Sequence, residues 1–146
     1  FPVTGLGVGG SSRLTYSGRD LDSGAPTLRQ AHGLFSRYAP IEPLVLLFEG
    51  DALIDTAVDP SGEGTTTVGG AGWLQADWTI VPGVRLMPAV EGMWRGDAGV
   101  AGWLSAAWYP LPHIELRADA SYRHAFSAAA GSGGSVMGLL QLHLYL

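Results

Sequence analysis

The residues that could do chemistry in this chain are few and lie far apart. The four histidines (His32, His113, His124 and His143) form no recognisable metal-ligand spacing, and the chain has no cysteine. His124 followed by Ser127 is the best combination, because a base and a hydroxyl group can hydrolyse acyl groups. A third group must orient the imidazole, yet the last predicted strand holds no Asp or Glu. We therefore predict no catalytic residue, no metal site and no cofactor.

Charged residues recur at every second position in several segments. If these segments are β-strands, alternation places the charges on one face of a sheet. In a narrow barrel that face surrounds the lumen, and the charges must pair with one another there. The expected lumen-facing charged network consists of Glu49, Asp51, Asp55, Asp77, Arg85, Glu91, Arg95, Glu115, Arg117, Asp119 and Arg123. A conducting pore is the alternative use of the same residues.

The composition indicates which elements position these residues. Hydrophobic residues make up 47% and charged residues 14% of 146 residues, against roughly 25% charged in soluble domains. No apolar run approaches the roughly 18 residues of a spanning helix, and 22 glycines with ten Trp and Tyr residues favour β-structure. The net charge is −5 with basic residues scattered singly, which argues against a nucleic-acid partner.

Alternation and turn residues predict eight strands in one domain. We place them near residues 12–19, 28–39, 43–57, 66–80, 84–95, 99–109, 113–126 and 136–146. Residues 1–12 are rich in Gly and Ser and are predicted to be a flexible or extended lead-in, with residues 13–146 forming the β-domain. The chain begins at Phe1 without a leader, so we expect a removed signal peptide or a piece of a longer protein.

The connections between the predicted strands fall into two alternating classes. Loops rich in Gly, Asp and Ser cover residues 18–26, 59–64, 96–99 and 127–135, whereas tight proline turns cover residues 39–43, 81–83 and 109–112. Short turns at one end and longer loops at the other are typical of an up-and-down transmembrane β-barrel. The sequence therefore predicts an all-β, antiparallel barrel of about eight strands.

The last strand has the clearest pattern. Leu140, Leu142, Leu144 and Leu146 alternate with polar residues and end the chain. In this respect the chain resembles bacterial outer-membrane β-barrel proteins, in which such a strand is the signal read by the barrel-assembly machinery. The family usually ends on Phe rather than on Leu146, and Pro88 interrupts the fifth strand, where we expect a bulge or a rim position.

The resemblance implies a place in the bacterial outer membrane, with lipid and other envelope proteins as partners. Aromatic side chains near strand ends would then form girdles at the membrane interfaces. The expected interfacial aromatics are Trp73, Trp78, Trp94, Trp103, Trp108, Tyr109 and Tyr122. The expected function is a non-enzymatic barrel that acts as an envelope anchor, a small channel or a component of an envelope assembly.

Three alternatives remain open from the sequence. The strands could be the C-terminal portion of a larger porin or transporter, with the charges lining water. They could form a soluble β-barrel or sandwich that binds a small ligand. They could also form a lipid-modifying enzyme, since residues 122–127 loosely resemble the site of lipid A deacylases. That family separates His and Ser by one residue and follows Ser with Asn, whereas two residues separate His124 and Ser127, and Ala128 follows.

Overall fold

The computed structural model describes residues 5–19, 24–58, 61–127 and 131–145. Eight strands account for most of these residues: β1 (Leu6–Ser17), β2 (Thr27–Ile41), β3 (Leu44–Val58), β4 (Gly64–Val81), β5 (Val84–Arg95), β6 (Asp97–Leu111), β7 (Ile114–Ser127) and β8 (Gly131–Leu144). Across these ranges, no helix is both long enough and apolar enough to cross a membrane.

All eight strands belong to one sheet, in the order β1 to β8, and each strand pairs antiparallel with its neighbours in sequence. The prediction of eight antiparallel up-and-down strands is confirmed. Within the described ranges the sheet is open, because β8 has no backbone pairing with β1. No second sheet covers the first one in these ranges, so the structure is not a sandwich.

Five of the eight strands, β1, β2, β4, β6 and β8, are longer than alternation indicated. β1 begins at Leu6, and Gly7 to Ser12 pair with β2 instead of forming a lead-in. Glycine and serine give no alternating side-chain signal, so only backbone pairing defines this half of the strand. Gly9 lies under the ring of Phe35, where a Cβ atom would collide with the ring. The loops that follow β5 and β7 are likewise shorter than predicted, since β6 begins at Asp97 and β8 at Gly131.

The three short turns lie at the same end of the sheet and join β2–β3, β4–β5 and β6–β7. Gly83 in the second turn has a φ of 81°, and His113 takes the equivalent place in the third turn with a φ of 68°. Glycine adopts this left-handed conformation without steric cost, whereas a side chain such as that of His113 disfavours it. The geometry of the turn, and not the type of residue at position 113, therefore sets the backbone conformation there.

Residue number alone tells which face of the sheet a strand residue occupies. Apart from the pairs that close the three short turns, every cross-strand pair joins two even or two odd positions. Even positions hold no Asp, Glu or Arg in any of the eight strands, and we call this side the apolar face. Odd positions form the polar face, and the most buried side chains lie there: Thr27, Ala89, Ala101, Ser105, Ala107 and Glu115.

Pro88 lies in the middle of β5 rather than at a bulge or a rim. It is opposite Leu104 of β6, and the pairing of β5 with β4 is interrupted between Ala89 and Leu86. The register is the same on both sides of this gap, because Gln75 pairs with Ala89 and Trp78 with Leu86. The missing proline N–H therefore removes ladder bonds without adding a residue to the strand.

Candidate functional site: a charged face and an apolar face

The structure brings the predicted charged network onto one surface. All eleven residues lie at odd positions of β3, β4, β5 and β7, and therefore on the polar face. Sequence reasoning missed four more charges on this face, namely Arg13, Arg29, Arg37 and Asp97. On β2 the signal was obscured, because Gln30 and His32 occupy the otherwise apolar side and break the contrast between the faces.

Asp119 is the centre of a network that joins three strands. Its carboxylate accepts hydrogen bonds from Ser105 of β6, from the Arg117 Nε at 2.9 Å, and from the Gln141 Nε2 of β8 at 2.8 Å. The Arg117 Nη2 also donates to the Ser105 hydroxyl at 3.2 Å. An ionised acceptor makes such bonds stronger than neutral ones. This carboxylate therefore stabilises the relative positions of β6, β7 and β8.

A second carboxylate extends the same network toward the short-turn end. Glu115 is only 5% exposed, accepts a hydrogen bond from the Tyr145 hydroxyl, and lies 3.4 Å from the His143 Nδ1. The His143 Nε2 lies 3.0 Å from the Gln141 Oε1. Because Gln141 donates its amide nitrogen to Asp119, its oxygen is left to accept from His143. The contacts are therefore continuous from Arg117 to Tyr145.

Two further ion pairs lie on the polar face away from this network. Arg85 of β5 binds Asp77 of the neighbouring β4, with its Nε 3.1 Å from the Asp77 Oδ1. Arg95 of β5 binds Asp55 of β3, and so reaches across the intervening strand. Contacts across a strand depend on register and on sheet curvature, which the sequence does not reveal.

Most of the large side chains on the apolar face are exposed. The Val136 and Leu140 side chains are each 80% exposed, and Leu142 and Leu144 on the same strand are also exposed. Leu146, the last member of the predicted assembly signal, lies outside the described residues. Soluble monomers rarely expose an apolar surface of this extent to water. Several polar side chains of the opposite face contact one another, whereas most bulky side chains of the apolar face are uncovered.

The predicted aromatic residues divide between the two faces. Trp78, Trp94, Trp108 and Tyr122 have even numbers and lie on the apolar face, whereas Trp73, Trp103 and Tyr109 lie on the polar face. The seven predicted residues therefore cannot all belong to aromatic girdles on one face of the sheet.

Six of the eight aromatic residues on the apolar face form two belts, one near each end of the sheet, and the other two, Phe48 and Tyr122, lie between the belts. Tyr38, Trp78 and Trp108 each stand three residues before the last residue of β2, β4 and β6, and form the lower belt. Tyr16, Trp94 and Phe126 each stand one residue before the last residue of β1, β5 and β7, and form the upper belt. Trp94 pairs with Ala98, and 108 − 98 gives ten residues between the belts along β6.

The hypothetical catalytic pair does not assemble. His124 is on the apolar face, where its Nδ1 lies 3.1 Å from the Tyr122 hydroxyl and its ring lies 4.4 Å from that of Phe126. Ser127 has an odd number and so belongs to the polar face. In the part of the chain that the structure describes, no three His, Asp or Glu side chains converge to hold a metal ion.

Comparison with known proteins adds no relative. No protein-family model matches the chain, and no similar protein was found among curated proteins or solved structures.

Proposed function

We propose that this chain forms the wall of an integral β-barrel in the bacterial outer membrane, with the apolar face toward lipid and the polar face inside. It would act without catalysis as an envelope anchor, a small channel or a component of an envelope assembly. The exposed C-terminal strand β8, with Leu140, Leu142 and Leu144 on its apolar face, would be read by the barrel-assembly machinery during insertion.

The spacing of the two aromatic belts is the observation that carries this proposal. Ten residues at about 3.3 Å each span about 33 Å along a strand. Tilting the strand by about 40° reduces this length to about 25 Å, which is the height of the apolar band of outer-membrane barrels. Aromatic rings favour the two edges of such a band, since their polar atoms reach the headgroups. The spacing of the belts therefore matches the distance between the two interfaces that such a barrel spans.

The distribution of charge supports the same orientation. Placing an Arg on the lipid-facing side of a barrel costs about 2 to 4 kcal/mol at the midplane of the bilayer. Arginine supplies every basic residue of this chain, and seven of the eight lie at odd positions of the strands: Arg13, Arg29, Arg37, Arg85, Arg95, Arg117 and Arg123. The face without charges is therefore the one suited to lipid.

Tryptophan fluorescence in vesicles tests the orientation directly. Five variants, each retaining one of the five tryptophans with the others changed to Phe, are reconstituted with lipids brominated on the acyl chains. We expect strong quenching for Trp78, Trp94 and Trp108, and little for Trp73 and Trp103, because contact with lipid should follow the face of the sheet. Equal quenching of both groups, or none in either, would contradict the proposal.

The register is suited to closing the barrel through β1 and β8. One row of partners crosses the sheet from Val8 to Val136, by way of Ser36, Phe48, Leu74, Val90, Gly102 and Tyr122. Val8 lies two residues from the short-turn end of β1, whereas Val136 lies eight residues from the same end of β8. Between β1 and β8 the row is therefore displaced by six residues along the strand direction. Barrel closure requires a stagger of this kind, about eight residues in the well-known parallel eight-stranded barrel.

Disulfide trapping measures this closure, since the chain has no native cysteine. Leu142→Cys is combined in turn with Val8→Cys, Gly10→Cys and Ser12→Cys, which correspond to staggers of six, eight and ten residues. We expect one pair to form an intramolecular disulfide, because paired strands bring Cβ atoms to bonding range. Leu142→Cys with Ile54→Cys on β3 is the control that should stay reduced.

A larger barrel is the second candidate, and the open sheet favours it. The Arg85 and Arg95 side chains are each 39% exposed on the polar face, as expected for residues that line water. In that case none of the three cysteine pairs would crosslink within one chain, and the reconstituted protein would conduct ions only in the larger assembly. A crosslink in one pair would exclude this candidate in favour of the closed eight-stranded barrel.

A further inference from the structure

Three polar side chains of β1 and β2 form a hydrogen-bonded cluster on the apolar face. The Ser12 hydroxyl lies 2.9 Å from the His32 Nδ1, and the His32 Nε2 lies 3.4 Å from the Gln30 Oε1. All three residues have even numbers and are at the lipid-facing positions of the proposed barrel. We call this group the Ser12 cluster.

The Ser12 cluster lies deep within the apolar band of the proposed barrel. Ser12 is four residues from Tyr16 of the upper belt, and His32 is six residues from Tyr38 of the lower belt. These separations are about 13 Å and about 20 Å along the strands, so the cluster lies well inside the apolar band. Polar groups at this depth are costly when they face lipid, and commonly contact another part of a protein.

A groove on the apolar face lies beside the Ser12 cluster. It has a volume of about 680 Å³, begins beside His32, and is lined by the small residues Ala52 and Gly72 together with Leu34, Val68 and Trp94. Small residues with hydrogen-bonding groups are typical of contacts between protein segments inside membranes.

Hydrolysis of a lipid ester is the competing use of these side chains. In such a reaction Ser12 would be the nucleophile, His32 the base, and Gln30 the group that orients the imidazole. The reaction also needs an ester carbonyl and a water molecule, and both belong to the interfacial regions of a bilayer rather than to its hydrocarbon core. The depth of the cluster therefore favours contact with protein over catalysis.

We propose that the Ser12 cluster is the centre of an interface between two copies of this chain within the membrane. This proposal rests on the proposed orientation of the apolar face toward lipid. The cluster holds both donors and acceptors: the Gln30 amide has two N–H groups and the Ser12 oxygen has two lone pairs. A two-fold axis brings the same patch of each copy together. The donors in the cluster of one copy can therefore bond to the acceptors in the cluster of the other copy.

The available area is sufficient for a pair of copies. Four strands, β1 to β4, are about 19 Å wide, and the band between the belts is about 33 Å along the strands. This gives about 600 Å² per copy and about 1,200 Å² in total, the lower end of the range for specific interfaces. The groove beside His32 would receive side chains of the second copy.

Single cysteines test the interface in vesicles of the cysteine-free chain. Ser12→Cys is compared with Leu104→Cys, which is on the same face and at a similar depth but on β6. After mild oxidation we expect Ser12→Cys to form a dimer of twice the chain mass and Leu104→Cys to remain monomeric. Equal crosslinking of both, none in Ser12→Cys, or an adduct with a different protein would overturn the proposal.

Removing the hydrogen-bonding groups gives a second measurement. The variant Gln30→Leu with His32→Leu should still insert, since leucine is suited to lipid, but its dimer should be roughly 3- to 30-fold weaker by energy transfer between labelled copies. An unchanged dissociation constant would contradict the interface. The quenching of the single-tryptophan variants by brominated lipids checks the orientation separately, so failure of the membrane proposal and failure of the interface give different results.

Discussion

Changing Leu104 to Arg should lower the free energy of unfolding in a bilayer by about 2 to 4 kcal/mol. Leu104 is on the apolar face of β6, between Ala98, which pairs with the upper belt, and Trp108 of the lower belt. A guanidinium group at this position would lie in hydrocarbon, with no carboxylate on its face of the sheet to pair with. Urea unfolding of the reconstituted protein, followed by tryptophan emission, measures the difference.

The matched control is the same substitution on the opposite face. Leu139 is 51% exposed and Leu104 is 46% exposed, so burial alone does not distinguish them. Leu139 pairs with Asp119 on the polar face, and an Arg there would have a carboxylate beside it. We expect Leu139→Arg to change the stability by less than about 0.5 kcal/mol. Equal costs at the two positions would mean that both faces have the same surroundings.

The second large effect is expected at Asp119. Changing it to Leu removes the acceptor of Ser105, Arg117 and Gln141 together. Breaking a buried pair by removing one partner costs about 3 to 5 kcal/mol. The Asp119 side chain is 21% exposed, so we expect a cost near the lower end, about 3 kcal/mol, in the same urea measurement.

A double-mutant cycle separates the interaction energy of the Arg117–Asp119 pair from the contributions of the other members of the network. The variant with both Arg117→Leu and Asp119→Leu should recover much of the stability lost in Asp119→Leu, because no charge is then left without a partner. Loss equal to the sum of the two single changes would mean that Arg117 and Asp119 contribute independently, which is incompatible with the network described above.

The sequence predicted β7 well and β1 poorly, for a physical reason. In β7 the residues from Ile114 to Arg123 strictly alternate between apolar or small and polar, which is the direct signature of a two-sided strand. In β1 the residues from Gly7 to Ser12 are nearly all small, and only their pairing with β2 reveals the strand. Side-chain patterns therefore predict a strand only where one face is clearly polar and the other clearly apolar.

The members of the charged network could be predicted, but their partners could not. Alternation alone placed Glu115, Arg117 and Asp119 on one face. The link from Asp119 through Gln141 to His143 depends on the register of β7 with β8, and a slip of one residue would move every side chain to the other face. The Ser12 cluster could not be predicted either, because Ser12 and His32 are twenty positions apart in the sequence.

The pairing of each strand only with its neighbours in sequence has a kinetic consequence. Each of the seven ladders is a hairpin, so a new strand can add to the sheet after closing only a short loop, at a small entropic cost. Chains rich in such local contacts reach the native topology faster than those that must first join distant segments. The sheet can therefore grow by one hairpin strand at a time, and a pause at any stage leaves a partly formed sheet whose existing strands are already in their final register.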